Sequence, residues 1–243
     1  MVSNSYILTF TFILTAVVAL SLTVLRQATE PMAEKNEELF KKKAILAAVK
    51  DYLPGGKSID ELSGDEILSL FDEQVQDLIV DAAGKVVAED GGENIEVAKV
   101  WKEAPEKRQL PVYIYKHPEH TCYIFPMRGK GLWDDIWGNI ALGPDLNEVV
   151  GVAFDHKAET PGLGAEIKDN PKFAEQFAGK KIFDEQGQFV SIVLKKGGAA
   201  PGDEHAVDAI TGATLTSDGV TAMLKDALSW YLPYIESVKA GKK

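Results

Sequence analysis

Cysteine and histidine, the side chains that most often bind metals and redox clusters, are scarce in this sequence. Cys122 is the one cysteine among 243 residues, so the chain can form no internal disulfide and cannot hold a cysteine-ligated iron–sulfur cluster by itself. The four histidines are scattered, and Pro118 between His117 and His120 favours a turn over a metal-binding helix face. We therefore predict no metal site.

Sequence motifs for several classes of enzyme are also missing. No Ser-His-Asp constellation, phosphate-binding P-loop or glycine-rich dinucleotide motif is visible in the chain. We therefore predict no catalytic residue and no binding of a nicotinamide dinucleotide by this chain. Lysines and arginines number 26 against 37 acidic residues, and the resulting net charge of −11 argues against nucleic acid as a partner.

The N-terminus lacks charge altogether, since no charged side chain occurs from Met1 to Leu25. As a helix rising about 1.5 Å per residue, the 20 residues from Tyr6 to Leu25 span the roughly 30 Å hydrocarbon layer of a membrane. A cleaved signal peptide is the alternative, but its basic leading region and small-residue cleavage site are not evident. We predict a retained single-pass anchor. The positive-inside rule would place Arg26 and the lysines at 41–43 in the cytoplasm.

The rest of the chain has the composition of a folded domain, with 45% hydrophobic and 26% charged residues. We place the anchor at residues 1–28, a helical stalk with N-terminal helices at 29–75, and one soluble domain at 76–243. The pattern of the elements predicts an α+β fold with a largely antiparallel sheet and a C-terminal helix.

Local signals predict several elements of this domain. A short capped helix is expected from Ser63 to Phe71, because Ser63 is followed three residues later by Glu66. Runs of β-branched and aromatic residues predict strands, one of them over 133–142, and a hairpin over 182–194. The last helix is expected over 216–234.

The stretch Asp208–Ser217, with the sequence DAITGATLTS, leads into this last helix. A glycine allows close approach of the backbone, and a helix N-terminus offers unpaired N–H groups to an anion. The hydroxyls of Thr211, Thr214 and Thr216 are expected to converge there, which indicates a phosphate-sized site with a possible point of covalent attachment. The alternative is a simple helix cap.

Two further stretches combine glycine with large apolar residues. The stretch 159–164 reads ETPGLG, which is typical of a turn between a strand and a helix, since Pro161 fixes one φ and Gly162 permits the next. The stretch 129–133 reads GKGLW, and its Trp133 would ordinarily belong to a core.

Taken together, these stretches resemble the FMN-binding domain family, and their order after an apolar N-terminus looks most like the NqrC family of sodium-translocating NADH:quinone reductase subunits. In these proteins, FMN is joined by a phosphoester bond to the threonine that follows Gly-Ala, which is Thr214 in this sequence. The resemblance implies that the domain at 76–243 binds FMN covalently. It also implies a separate flavin transferase, which moves FMN from FAD with the help of a metal ion.

The same resemblance assigns further residues to the cofactor. Asp208 and Gly212 match the part of the motif that the transferase is expected to read, Gly162 and Gly164 would let the backbone approach the flavin, and Leu163 would cover an apolar face. Besides Thr214, the residues implied in cofactor binding are Asp208, Thr211, Gly212, Ala213, Leu215, Thr216, Glu159, Thr160, Gly162, Leu163, Gly164, Leu132 and Trp133.

The implied function is that of an electron-transfer subunit in a complex that oxidises NADH, reduces quinone and pumps sodium. Its expected partners are the other subunits of the complex, the flavin transferase and the bacterial inner membrane. The resemblance implies that the soluble domain lies on the periplasmic side, and we follow it rather than the positive-inside rule, since only Arg26 lies directly at the membrane edge. A flavinylated subunit of an Rnf-type electron-transport complex is the first alternative. A membrane-anchored binding or scaffold protein without a redox role is the second.

Overall fold

The structure is a computed structural model that describes residues 3–117 and 120–241. Pro118, at which we predicted a turn, lies outside the described residues. The α-helices are α1 (Asn4–Leu46), α2 (Gly64–Gln74), α3 (Val97–Val100), α4 (Glu166–Asp169), α5 (Pro171–Glu175) and α6 (Thr214–Gly241). The strands are β1 (Val75–Asp81), β2 (Val86–Ala88), β3 (Gln109–Lys116), β4 (Thr121–Lys130), β5 (Asp135–Leu142), β6 (Val149–His156), β7 (Val193–Lys195) and β8 (Ala206–Asp208).

Helix α1 exposes large apolar side chains over its N-terminal half. Tyr6, Leu14 and Leu25 are each more than half exposed. The helical segment Asn4–Tyr52, of which α1 is the first part, is the one segment of the described chain that is long and apolar enough to cross a membrane. This confirms the predicted long apolar helix at the N-terminus. The described chain forms two compact units, which divide between Lys41 and Lys42.

Helix α2 begins at a capping box, which confirms the predicted short capped helix. The Ser63 hydroxyl accepts a hydrogen bond from the Glu66 N–H (3.3 Å), and the Glu66 carboxylate accepts one from the Ser63 N–H (2.8 Å). The hydrogen bonds from Ser63 lower the pKa of Glu66 to about 2. Helix α2 therefore has a defined start, and it leads directly into β1.

A six-stranded antiparallel sheet forms the centre of the second unit, in the order β2-β1-β3-β4-β5-β6. Tyr123, Phe125 and Met127 alternate along β4 and all lie in the hydrophobic core. Strands β7 and β8 form a separate parallel pair. The expected α+β architecture with a largely antiparallel sheet and a C-terminal helix is confirmed.

Helix α6 packs on β4 and covers the core. The rings of Phe125 and Tyr231 lie 4.9 Å apart, and the Tyr231 hydroxyl donates to the Pro126 carbonyl at 3.0 Å. The turn between β1 and β2 also approaches α6. A side chain at Gly84 would overlap with the backbone of Pro233, and the φ of Gly84 is +78°, so this position requires glycine. These contacts fix α6 on the sheet.

Two predicted element starts are corrected by short-range hydrogen bonds. Strand β5 begins at Asp135 rather than at Trp133, because the Gly131 N–H donates to the Asp134 carbonyl (2.9 Å) and closes a turn. Helix α6 begins at Thr214 rather than at Thr216, because the Ser217 N–H already donates to the Ala213 carbonyl at 2.9 Å.

The hairpin predicted over 182–194 is also corrected. Phe183 and Phe189 form an isolated antiparallel bridge within this range. The N–H groups of both Val190 and Ser191 donate to the Ile182 carbonyl, at 2.9 and 3.1 Å, and this bulge ends the pairing. The following residues form β7, which pairs in parallel with β8 instead.

Candidate functional site

Thr214 is exposed at the first position of α6, a helix of 28 residues. A tight turn precedes it, in which the Ala213 N–H donates to the Ile210 carbonyl (3.1 Å) and Gly212 has a φ of +81°. The first backbone hydrogen bond of the helix runs from the Ser217 N–H to the Ala213 carbonyl. The N–H groups of residues 214–216 therefore have no carbonyl acceptor within the helix. The start of α6 therefore offers N–H groups and a positive dipole end beside the Thr214 hydroxyl.

The hydroxyl side chains near this helix start divide into two exposed and two buried ones. Thr211 and Thr214 are exposed, whereas Thr216 and Ser217 are each 1% exposed. The Thr216 hydroxyl donates to a Glu159 carboxylate oxygen at 2.6 Å, and the Ser217 hydroxyl accepts the Ile210 N–H at 3.2 Å. The expected convergence of three threonine hydroxyls is corrected accordingly, because Thr216 is turned into the protein by its bond to Glu159.

Glu159 is a buried carboxylate, with only 4% of its surface exposed, and it accepts hydrogen bonds from Trp133 and Thr216. Its Oε1 accepts the backbone N–H of Trp133 at 2.9 Å, and its Oε2 accepts the Thr216 hydroxyl. The neighbouring Thr160 hydroxyl accepts the indole N–H of Trp133 at 3.1 Å. Three segments that are distant in sequence therefore meet at this carboxylate: residues 131–134, residues 159–165 and the first turn of α6.

Gly131 and Gly164 make room for this carboxylate. A Cβ atom at Gly131 would lie 2.5 Å from Glu159 Oε1, and one at Gly164 would collide with Glu159 Oε2 and lie 2.5 Å from the Thr216 hydroxyl. Gly162 differs from both, since it is exposed, has a φ of +73° and has free space around it. Gly164 thus packs directly against Glu159, whereas Gly162 lies on an open surface.

Large apolar side chains are exposed around Thr214, although the surrounding domain buries most others. Trp133 is 67% exposed, which corrects the reading of this residue as part of the core. Leu132, Leu163 and Leu215 are also more than 40% exposed, and a Cβ at Gly212 would come within 2.9 Å of the Leu163 side chain. We call Leu132, Trp133, Leu163 and Leu215 the apolar cluster.

Asp208 lies on a groove beside the apolar cluster. Its carboxylate accepts the Ala199 N–H at 2.7 Å, and its own N–H donates to the Gln176 side chain at 2.9 Å. The groove has a volume of about 500 Å³, and Gly162 and Thr211 line it together with Asp208. Asp208 therefore supports the loop before Thr211 and lines the same groove as Thr211.

Ion pairs surround the turn that carries Trp133. Asp134 pairs with Lys157 at 2.8 Å, and Asp135 pairs with Lys130 and Arg128. The hydrogen bond from Lys157 lowers the pKa of Asp134, and the hydrogen bond from Lys130 lowers the pKa of Asp135. Both carboxylates are therefore held in the charged form near the exposed indole.

Sequence reasoning missed some residues that shape the site. Ser217 holds the turn before α6 through Ile210, and nothing in the sequence separates it from an ordinary cap. A Cβ at Gly219 would overlap with the Lys130 carbonyl, so this glycine brings the first turns of α6 against the end of β4. Gly131 belongs to a recognised motif, but its contact with Glu159 depends on the fold.

A known protein family matches the part of the chain that contains these residues. A family model described as FMN-binding domain matches residues 131–229, a range that contains every candidate residue named above from Leu132 to Thr216. The fold and this match define an FMN-binding domain that follows an apolar N-terminal helix in the sequence.

Relatives of similar length identify the family. NqrC of the Na⁺-translocating NADH-quinone reductase from Neisseria meningitidis is 32% identical over 87% of this chain and 85% of its own length. Its counterpart from Vibrio campbellii is 36% identical over 74% of this chain and 78% of its own. The counterpart from Parabacteroides distasonis has a crystal structure that matches this chain with a TM-score of 0.72 and 33% sequence identity. The match covers 84% of this chain and 95% of the Parabacteroides chain. The chain belongs to the NqrC family.

Proposed function

We propose that this chain carries FMN on Thr214 through a phosphoester bond and transfers electrons as a subunit of a Na⁺-translocating NADH-quinone reductase. The observation that carries the proposal is the position of Thr214. Its exposed hydroxyl lies at the N-terminus of a long helix and next to exposed apolar side chains. A flavin nucleotide has two parts that complement this surface: an anionic phosphate for the helix N-terminus and a large apolar ring for the apolar side chains.

The start of α6 fits the phosphate. The N–H groups of residues 214–216 and the positive end of the helix dipole favour a negative charge there. The first turn of α6, all of which the structure describes, contains no acidic residue, so none of its own carboxylates competes for this position. Thr211 is also exposed, three residues before Thr214, and its hydroxyl can donate a further hydrogen bond.

The apolar cluster fits the ring. Trp133 and Leu163 offer exposed apolar surface, and Gly162 allows close approach because space around it is open. The indole N–H of Trp133 donates a hydrogen bond to the Thr160 hydroxyl, which orients the ring. When bound, FMN supplies one-electron transfer, and the surrounding charges and hydrogen bonds set its potential.

A separate transferase is required because a threonine hydroxyl is a weak nucleophile without activation. In the proposed attachment, Thr214 Oγ1 forms the bond to the flavin-bearing phosphorus of FAD. The bond from that phosphorus to the AMP half breaks, the hydroxyl proton is released, and AMP leaves. We propose Asp208 and Gly212 as residues that the transferase reads, since both are exposed and lie six and two residues before Thr214 along the chain.

Helix α1 would hold the protein in the bacterial inner membrane, with the second unit on the periplasmic side and the other subunits of the reductase as partners. The length and the exposed apolar residues of α1 support the membrane anchor. A protease added to spheroplasts would digest residues 42–243 if they lie in the periplasm. Protection of these residues until the cells are lysed would contradict this orientation.

Flavin fluorescence in a denaturing gel tests the attachment. The full chain is co-expressed with a flavin transferase beside Thr214→Ala and the matched control Ser229→Ala, which removes an exposed hydroxyl of the same helix fifteen residues beyond Thr214. We expect a fluorescent band in the wild type and in the control, and none in Thr214→Ala. Equal fluorescence in Thr214→Ala would contradict attachment at Thr214, and its absence from all three would favour the scaffold alternative.

A further inference from the structure

We infer that Glu159 is the positioning residue of this site, and that it holds Trp133 and the first turn of α6 at a fixed separation. The inference rests on the proposed function in so far as the site receives FMN. It goes further because it assigns Glu159 to the protein framework rather than to a contact with the cofactor. Both oxygens of the carboxylate already accept hydrogen bonds from protein groups.

The burial of Glu159 makes these two bonds strong determinants of structure. A buried carboxylate is costly unless donors satisfy it, and hydrogen bonds to a charged group are stronger than those between neutral groups. The two donors come from residues 26 and 57 positions away along the chain. Removing the carboxylate would therefore release two distant segments at once, not just one local contact.

The packing around Glu159 indicates that this arrangement is specified. Gly131 and Gly164 approach its two oxygens from different segments, and a side chain at either glycine would occupy the space of the carboxylate. The backbone N–H of Glu159 also donates to the His156 ring at 3.2 Å, which fixes the end of β6 to the loop. The side chain is thus held from its backbone to both of its oxygens.

The consequence for the site follows from what Glu159 connects. Trp133 is the most exposed member of the apolar cluster, and Thr216 lies two residues after Thr214 on the same helical turn. Without the carboxylate, the indole and the Thr214 hydroxyl would no longer keep one relative position. A cofactor attached at Thr214 would then lose its ordered contact with Trp133, although the covalent bond could still form.

The first test needs no cofactor. Backbone hydrogen exchange of the peptide containing Trp133 is measured in Thr214→Ala, which is expected to stay flavin-free, with and without Glu159→Ala. We expect roughly tenfold or faster exchange at Trp133 after removal of the carboxylate, in keeping with the loss of one hydrogen bond to a charged group. Asn139→Ala is the matched control, because it removes a buried side chain that donates to Ala44 outside the three segments.

The second test uses the flavinylated chain and compares Glu159→Ala with Glu159→Gln. Glutamine keeps the shape of the side chain and an acceptor for the Trp133 N–H, so it should retain the visible circular dichroism of the flavin. The midpoint potential should shift in both variants, because both remove the charge of Glu159. Glu159→Ala should lose the circular dichroism and shift the potential, while intact mass still shows one flavin. Unchanged exchange at Trp133 together with unchanged dichroism in Glu159→Ala would overturn the inference.

The arms of the experiment separate the two proposals. If the wild type carries no flavin, the proposed function fails, but the exchange measurement still decides the role of Glu159. If Glu159→Ala does not fold, Thr216→Val replaces it, since valine keeps the branched shape and removes only the hydroxyl that donates to Glu159. Faster exchange in this variant at Ser217, whose N–H donates to the Ala213 carbonyl at the start of α6, supports the inference, and unchanged exchange there overturns it.

Discussion

The chain exposes large apolar side chains on two surfaces that differ in length, continuity and origin. On α1, exposed large apolar residues recur from Tyr6 to Leu25, separated only by threonine, serine and alanine, in a stretch without a charged side chain. The apolar cluster around Thr214 has four residues, and they come from three segments that hydrogen bonds to Glu159 and Thr160 hold together.

The difference distinguishes two kinds of exposed apolar surface, which suit two kinds of partner. A continuous run suits a lipid layer, which requires length and low polarity but no particular arrangement of side chains. A small cluster bordered by threonine hydroxyls and helix N–H groups suits a ligand with one apolar and one anionic part. The cluster therefore requires precise positions, and the buried carboxylate of Glu159 supplies them.

The largest expected effect tests whether α1 alone holds the chain in the membrane. Deletion of residues 1–28 should move the protein completely from the membrane fraction to the supernatant, because the apolar run is removed. Fractionation after a carbonate wash measures this, with the full chain as control. A truncated chain that stays in the membrane fraction would show that the apolar cluster or another surface also binds lipid.

A second prediction compares a core aromatic residue with the apolar cluster. Phe177→Ala should lower the free energy of unfolding by about 3–5 kcal/mol, because Phe177 is fully buried between Phe154 and Phe173. Trp133→Ala should lower it by about 1 kcal/mol or less, because Trp133 is mostly exposed. Denaturant unfolding of the two variants measures both, and equal losses would show that Trp133 serves stability rather than binding.

A third prediction concerns the packing around Glu159. Gly164→Ala should cost about 1–3 kcal/mol of unfolding free energy, because the new methyl group collides with the carboxylate and the Thr216 hydroxyl. Gly179→Ala is the matched control, since nothing lies near its Cβ position although its φ of +78° is strained for alanine. The control should cost about 1–2 kcal/mol from backbone strain alone. A smaller loss for Gly164→Ala would mean that the three segments separate easily.

The smallest expected effect is a pH-dependent one at the turn that carries Trp133. The pKa of Asp134 is lowered by Lys157, so its charge stabilises the folded state above the ordinary value of 3.8, and this contribution disappears as the pH falls through the lowered pKa. Asp134→Asn should therefore lower the thermal midpoint slightly at pH 7 and match the wild type in acid. Lys157→Gln should give the same difference, whereas a loss that persists in acid would exclude the ion pair as its cause.

The sequence predicts the first surface and the fold class better than the details of the second surface. The uncharged run to Leu25 depends only on composition, and the capping box at Ser63 depends on residues three apart, so both are local properties. The start of α6 at Thr214 and the lost hairpin near Ser191 depend on single backbone hydrogen bonds that residue types do not specify.

The predicted site residues converge because the fold brings separate motifs together. The resemblance named Glu159, Thr216 and Trp133, but their mutual hydrogen bonds arise only when β5, β6 and α6 are assembled. Local sequence could not show that Thr216 faces inward while Thr214 faces outward, since both are threonines on one helical turn. Burial and hydrogen-bond partners, not residue type, separate the proposed attachment point Thr214 from the buried Thr216.

The mass of the peptide that contains Thr214 tests the central proposal most directly. The full chain is purified after co-expression with a flavin transferase, digested and measured beside Thr214→Ala. We predict that this peptide gains one FMN less one water, with the modification on Thr214. An unmodified peptide from protein that reached the membrane, or a modification located on Thr211, would contradict attachment at Thr214.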